Sequence, residues 1–167
     1  MRDYKEILKK YCADIQNGKI TAGIYTKKAI KRFLADLKRQ NSPDFQFEYH
    51  QEFADTVLSF AEKLKPSDLN GKEIQLLPWQ IFCFSMLEGW RYKSDPERKR
   101  FRMAYIEVNR KNGKTTGLLL PLIIFNFLKY KASESYIVSS RDDLAEKTFK
   151  EVKDIIIAEP GLNEILE

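Results

Sequence analysis

Apolar residues recur at three- and four-residue spacing along the first part of the chain. Tyr4, Ile7, Leu8, Tyr11, Cys12 and Ile15 form one set, Ile30, Phe33, Leu34 and Leu37 a second, and Tyr49, Phe53, Val57, Phe60 and Leu64 a third. That spacing lines up one side of an α-helix, so residues 1–70 are read as three amphipathic helices. Gly18 is placed to stop the first, Ser42-Pro43 follows the second, and Pro66 ends the third. From residue 71 the pattern changes. Pro78 suits the first turn of a helix over Trp79–Leu87, with Gly89 as its stop, and a polar connection follows from Tyr92 to Arg100. Met103–Val108 then reads as a strand, Thr115–Tyr130 as a helix, Tyr136–Ser139 as a strand and Asp142–Ala158 as a helix. Strand, helix, strand, helix predicts an α/β fold whose sheet is parallel with helical crossovers, and two strands alone make that sheet incomplete. The expected organisation is a helical subdomain over 1–70 and a sheet-containing domain over 71–167.

Composition narrows the class. With 167 residues, 43% hydrophobic and 32% charged, seven Gly and six Pro, the chain is globular in type and neither collagen-like nor disordered. Two cysteines, Cys12 and Cys83, and a single His50 are too few for a disulfide framework or a four-ligand zinc site, which points to reduced thiols and an intracellular setting. The N-terminus lacks the apolar run of a secretory signal, and Leu118–Phe125, the longest apolar stretch, is interrupted by Pro121 and too short for a membrane span. The net charge of +5 is unevenly distributed. Residues 1–40 hold eleven Lys/Arg against four Asp/Glu, with Lys27, Lys28, Lys31, Arg32, Lys38 and Arg39 concentrated in the second helix. These cations fit two readings: solvation of the outer helix faces, or a surface for nucleic acid or another polyanion. The aromatics lie on the apolar stripes and not between the cations, so they are assigned to the core.

The residues that carry chemistry stand where the first strand meets its helix, in Val108-Asn-Arg-Lys-Asn-Gly-Lys-Thr-Thr116. Against the phosphate-binding pattern G-x-x-x-x-G-K-[ST], Gly113, Lys114 and Thr115 match, and Val108 occupies the place of the first glycine. A strand before the loop and a long apolar helix after it give the match its weight. Orphan N–H groups and the positive end of the helix dipole favour phosphate at such a position. Gly113 permits close approach or positive φ, Lys114 reaches the β- and γ-phosphate oxygens, and the Thr115 hydroxyl suits a Mg²⁺ ligand. A plain Asn112-Gly113 turn with a solvated lysine is the competing reading.

Leu77-Pro-Trp-Gln80, Glu88-Gly-Trp90, Phe101–Thr116 and Val138-Ser-Ser-Arg-Asp-Asp143 together resemble the N-terminal ATPase region of the large terminase subunit of tailed bacteriophages. The opening, Tyr11–Gly18 and Lys28–Phe33, is similar to the helical start of that family. The resemblance implies an N-terminal helical subdomain followed by the opening strands and helices of a RecA-like P-loop NTPase sheet. It further implies ATP and Mg²⁺ as cofactors, Gln80 against the adenine base with Trp79 beside it or in the core, and Arg110 near the γ-phosphate as an internal relative of an arginine finger. Asn109, Lys111, Asn112 and Thr116 are loop neighbours in the nucleotide site, and Thr115 is the metal-side hydroxyl. The implied partners are double-stranded viral DNA, a small terminase subunit, the portal and further copies of the chain, in the cytoplasm of a bacterial host and without a membrane.

No apolar strand ending in Asp follows Lys114, and Ile155-Ile-Ile-Ala-Glu159 lacks the aspartate and falls at a helix end. The expectation is therefore an N-terminal portion of a motor whose nuclease domain and water-activating acids are elsewhere, and which alone does not turn over ATP. Two other readings stay open. One is a helicase-like nucleic-acid ATPase, and the other is a basic helical module that binds DNA or a protein partner without catalysis.

Overall fold

Asp3 opens the first helix by local chemistry: its Oδ1 accepts the Glu6 N–H at 2.9 Å, satisfying one of the donors that a helix start leaves unpaired. In the computed structural model, which describes residues 2–130 and 133–163, this helix, α1, runs Tyr4–Gln16. Gly18 follows it at φ +72, the left-handed conformation that glycine adopts without strain, and its N–H donates to the Ile15 carbonyl. Next come α2 (Ile24–Arg39), β1 (Phe47–Tyr49), α3 (Gln51–Lys63), α4 (Pro78–Gly89), β2 (Trp90–Tyr92), β3 (Asp95–Lys99), α5 (Leu120–Lys129), α6 (Asp142–Ala158) and α7 (Pro160–Asn163). The helices expected from periodicity form close to their predicted limits. The end of the expected second domain, residues 164–167, lies outside the described residues.

The chain divides into two compact units. One contains residues up to Leu58 together with Leu77–Ile106, and the other contains Ser59–Leu76 together with residues from Glu107 onward. The first unit is built on aromatic packing. Phe33 of α2 is buried and meets Tyr49, Phe82 and Trp90 at ring separations of 5.4, 5.8 and 6.1 Å, edge to face. Gly89 is the last residue of α4, as expected, and it lies against Tyr49: a Cβ there would be 2.4 Å from the ring, so a side chain fits only if that ring moves.

The sheet differs from the expected one. Its order is β1-β2-β3 and both pairings are antiparallel, with Phe47 opposite Tyr92 and Tyr49 opposite Trp90. Tyr49, read from its spacing as helical, is a strand residue, and the supposed connection Tyr92–Arg100 contains the β2–β3 turn and β3 itself. Pro96 is tolerated because β3 is an edge strand that needs no ladder donor on its open side. Met103–Val108 and Tyr136–Ser139 form no strand among the described residues. A parallel sheet is stable when neighbours flank it and layers cover both faces, and these two short segments are not so flanked here.

In the second unit α5 packs on α6, Phe60 meets Phe125 at 5.5 Å, and Leu118, Leu120, Ile124, Ile155 and Ile156 are buried. No helix among the described residues is long and apolar enough to cross a membrane.

Burial also sets the thiols. Cys12 and Cys83, both unpaired, sit in the first unit, and burial pushes their pKa values up to about 11 and about 12 from an ordinary 9.0. A group held neutral by the fold stabilises it fully below the unfolded pKa, and that contribution fades as pH rises through the folded one. The urea midpoint is therefore expected to fall as pH rises above about 9, and both thiols should resist a disulfide reagent at pH 8 until urea is added. Cys83 is only half-buried, so Cys12 is the stricter probe: its rapid labelling in the native state would contradict its buried placement.

Candidate nucleotide-binding loop

The segment from Asn109 to Thr116 runs into the helix that ends at Lys129. Lys111 and Gly113 both take positive φ, +64 and +70. A left-handed residue followed by a right-handed one, as Gly113 is by Lys114, turns successive peptide N–H groups toward one side, an arrangement suited to anions. For Lys111 such a conformation is uncommon, and for Gly113 it is the reason a glycine stands there. Asn112 closes the turn by donating from Nδ2 to the Asn109 carbonyl at 3.4 Å. Asn109, Arg110, Lys111, Asn112, Gly113 and Lys114 are exposed, while Thr115 and Thr116 are half-buried.

The helix after the loop opens with one α-type bond, from the Gly117 N–H to the Gly113 carbonyl at 2.9 Å, and then widens. Thr115–Leu119 is a wide π-helical turn in which the Leu120 N–H reaches back to the Thr115 carbonyl. Pro121 supplies the physical reason: it has no N–H to offer the turn before it, and its ring would crowd the carbonyl four residues back, so the helix widens on its N-terminal side. The wide turn carries Thr115 and Thr116 at its start. Thr116 donates its hydroxyl to the Asp68 carboxylate at 2.6 Å. Sequence reasoning missed Asp68, since its partner is 48 residues away and no spacing rule connects them.

Gln80 belongs to the first unit and stands at the start of α4. It is buried, and its Oε1 accepts the Leu77 N–H at 2.7 Å, so that it caps its own helix from the third position. Trp79 beside it is half-buried. Within the second unit the structure thus joins the Asn109–Thr116 segment to Asp68 through Thr116.

A loop of left-handed turns, a flexible exposed lysine and two hydroxyls at a helix start can together accept phosphate oxygens and, through a hydroxyl, a cation. The class that these features fit is a nucleotide-binding ATPase domain. Residues 78–165 match the family described as terminase large subunit, ATPase domain. That is more than half of the chain, and the chain belongs to this family. No curated protein and no solved structure matches it significantly. An ATPase domain of this family implies nucleotide binding.

Proposed function

We propose that the chain binds ATP with Mg²⁺ at Asn109–Thr116 and serves the motor that drives viral DNA into a procapsid. The observation that carries this reading is Gly113 at positive φ immediately before Lys114 and Thr115, at a helix start inside the segment that matches the family. In this reading Lys114 reaches the β- and γ-phosphate oxygens, the Thr115 hydroxyl faces Mg²⁺, and Arg110 offers its guanidinium to the γ-phosphate, with Asn109, Lys111, Asn112 and Thr116 lining the loop. Mg²⁺ supplies neutralisation of phosphate charge when bound. Gln80 as the adenine contact rests on the resemblance alone.

The finer fold belongs to the same proposal: Met103–Val108 and Tyr136–Ser139 are the strand-forming segments of a parallel nucleotide-binding sheet. Supporting it, Met103 and Tyr105 in one segment and Tyr136 and Val138 in the other stand exposed on alternate residues, the period at which a strand presents one face to its neighbours. Double-stranded DNA is the proposed polyanion for α2. Lys27, Lys28, Lys31, Arg32, Lys38 and Arg39 are exposed there, and its acidic residue, Asp36, is buried 2.8 Å from Arg100. A small terminase subunit, the portal and further copies of the chain complete the proposed assembly.

Calorimetry with Mg·ADP tests the nucleotide site. Lys114→Ala is expected to weaken binding at least tenfold, about 1.4 kcal/mol, as befits loss of a charge-assisted contact. Equal titrations for wild type and a folded Lys114→Ala variant would reject the phosphate assignment.

A further inference from the structure

The carboxylate beside the loop is the feature that the proposed site does not absorb. Asp68 lies in a single helical turn, Ser67–Leu69, followed by Asn70 and Gly71 at φ +53 and +73. The Asn70 N–H donates to the Ser67 carbonyl and the Lys72 N–H to the Leu69 carbonyl, so the turn that presents Asp68 is itself tied down. Further along, the Ile74 N–H donates to the Leu64 carbonyl, and the Leu76 N–H to the Glu62 carboxylate. From this frame the Asp68 Oδ2 holds the Thr116 hydroxyl, three residues after Gly113.

Asp68 is not the sole negative charge at this place. Glu151 of α6 has its carboxyl held above the ordinary range, chiefly by burial; Lys147, 3.9 Å away, pulls it down, and the charges of Asp68 and Asp154 push it up. Polyphosphate approaching Gly113 and Lys114 therefore meets a cation in the loop and a fixed carboxylate one hydrogen bond beyond it. A carboxylate hydrogen-bonded to the loop repels phosphates bound there, the more so the less solvent screens it, and a divalent cation carried with the phosphates turns that repulsion into attraction.

We infer that Asp68 is a positioning and selecting residue of the nucleotide loop: fixed on Thr116, its carboxylate disfavours metal-free polyphosphate and favours the metal-bound form. The inference rests on the nucleotide-binding reading above. It separates charge from tethering. Asp68→Asn keeps an acceptor for the Thr116 hydroxyl and removes the charge, whereas Thr116→Val removes the tether and keeps the charge.

The test titrates the whole chain with ADP in EDTA and with ADP plus Mg²⁺. Wild type is expected to prefer Mg·ADP at least tenfold. Asp68→Asn should bind metal-free ADP about fivefold tighter than wild type, with no gain for Mg·ADP, so that the preference collapses. Thr116→Val, which keeps the charge but releases it from the loop, should lower the preference part of the way toward that of Asp68→Asn. A merely structural tie would lower the melting temperature of both variants and leave the preference untouched, which would overturn the inference while Lys114-dependent binding upheld the nucleotide site. Wild type that binds neither form would overturn both. Should Asp68→Asn fail to fold, wild type itself decides: equal affinity for ADP and Mg·ADP overturns the inference, and Asp68→Ser, read in the same way, replaces the asparagine variant.

Discussion

Phe33→Ala is expected to cost about 3–5 kcal/mol and to unfold the first unit at a much lower urea concentration than wild type. The side chain is 2% exposed and sits where three elements meet, so deletion of the ring leaves a cavity that Tyr49 of β1, Phe82 of α4 and Trp90 of β2 cannot close without moving strands or helices. Each of these contacts is edge to face, the geometry that adds a fraction of a kcal/mol or more to area burial. Phe33→Leu, which retains most of the volume, should recover over half of the loss. Equilibrium urea unfolding followed by tryptophan fluorescence reports the transition, because Trp90 is fully buried. A Phe33→Ala midpoint close to wild type would mean that the aromatic cluster does not hold this unit together.

Glu88→Gln is expected to cost about 3–5 kcal/mol by a different route. Glu88 is 2% exposed; its Oε1 lies 2.6 Å from Lys99 Nζ, and its Oε2 lies 3.5 Å from Arg91 Nη2. Arg91 is itself buried, with its guanidinium 4.5 Å over the Phe53 ring and its Nε and Nη1 without hydrogen-bond partners among the described residues. Neutralising this carboxylate would take the counter-charge from the buried Arg91 guanidinium and from the half-buried Lys99, and a buried charge without compensation is expensive. The charge explanation makes a second demand. Adding Arg91→Met to Glu88→Gln should restore a substantial part of the lost stability, since it removes a cation that has lost its counter-charge. Additive losses in the double variant would locate the effect in packing instead.

Much of the helical framework was legible in the sequence because its causes are local. Asp3 caps α1 within three residues, the apolar stripe of α1 recurs within each turn, and Asp142–Ala158 carries both its acidic first turn and its periodic apolar positions inside one segment. The candidate phosphate loop was legible for the same reason: Asn109–Thr116 is eight consecutive residues, and the requirement for positive φ at Gly113 is met by the identity of one of them. Tyr49 misled because four-residue spacing to Phe53 satisfies a helical pattern equally well. What assigns it to a strand is Trp90, 41 positions on, paired opposite it.

The sequence by itself determined the helices, the glycine-lysine-threonine run ahead of the helix that ends at Lys129 and the unequal share of positive charge, since periodicity, capping and backbone freedom act over a few residues. Tertiary structure alone decided the antiparallel register of Phe47 on Tyr92, the closeness of Gly89 to the Tyr49 ring, the enclosure of Glu88 between Lys99 and Arg91, and the meeting of Asp68 with Thr116. In each of these the partners are distant in the chain or belong to different elements. Their energies arise from desolvation, close packing and charge pairing, which exist only after the chain has brought the groups together.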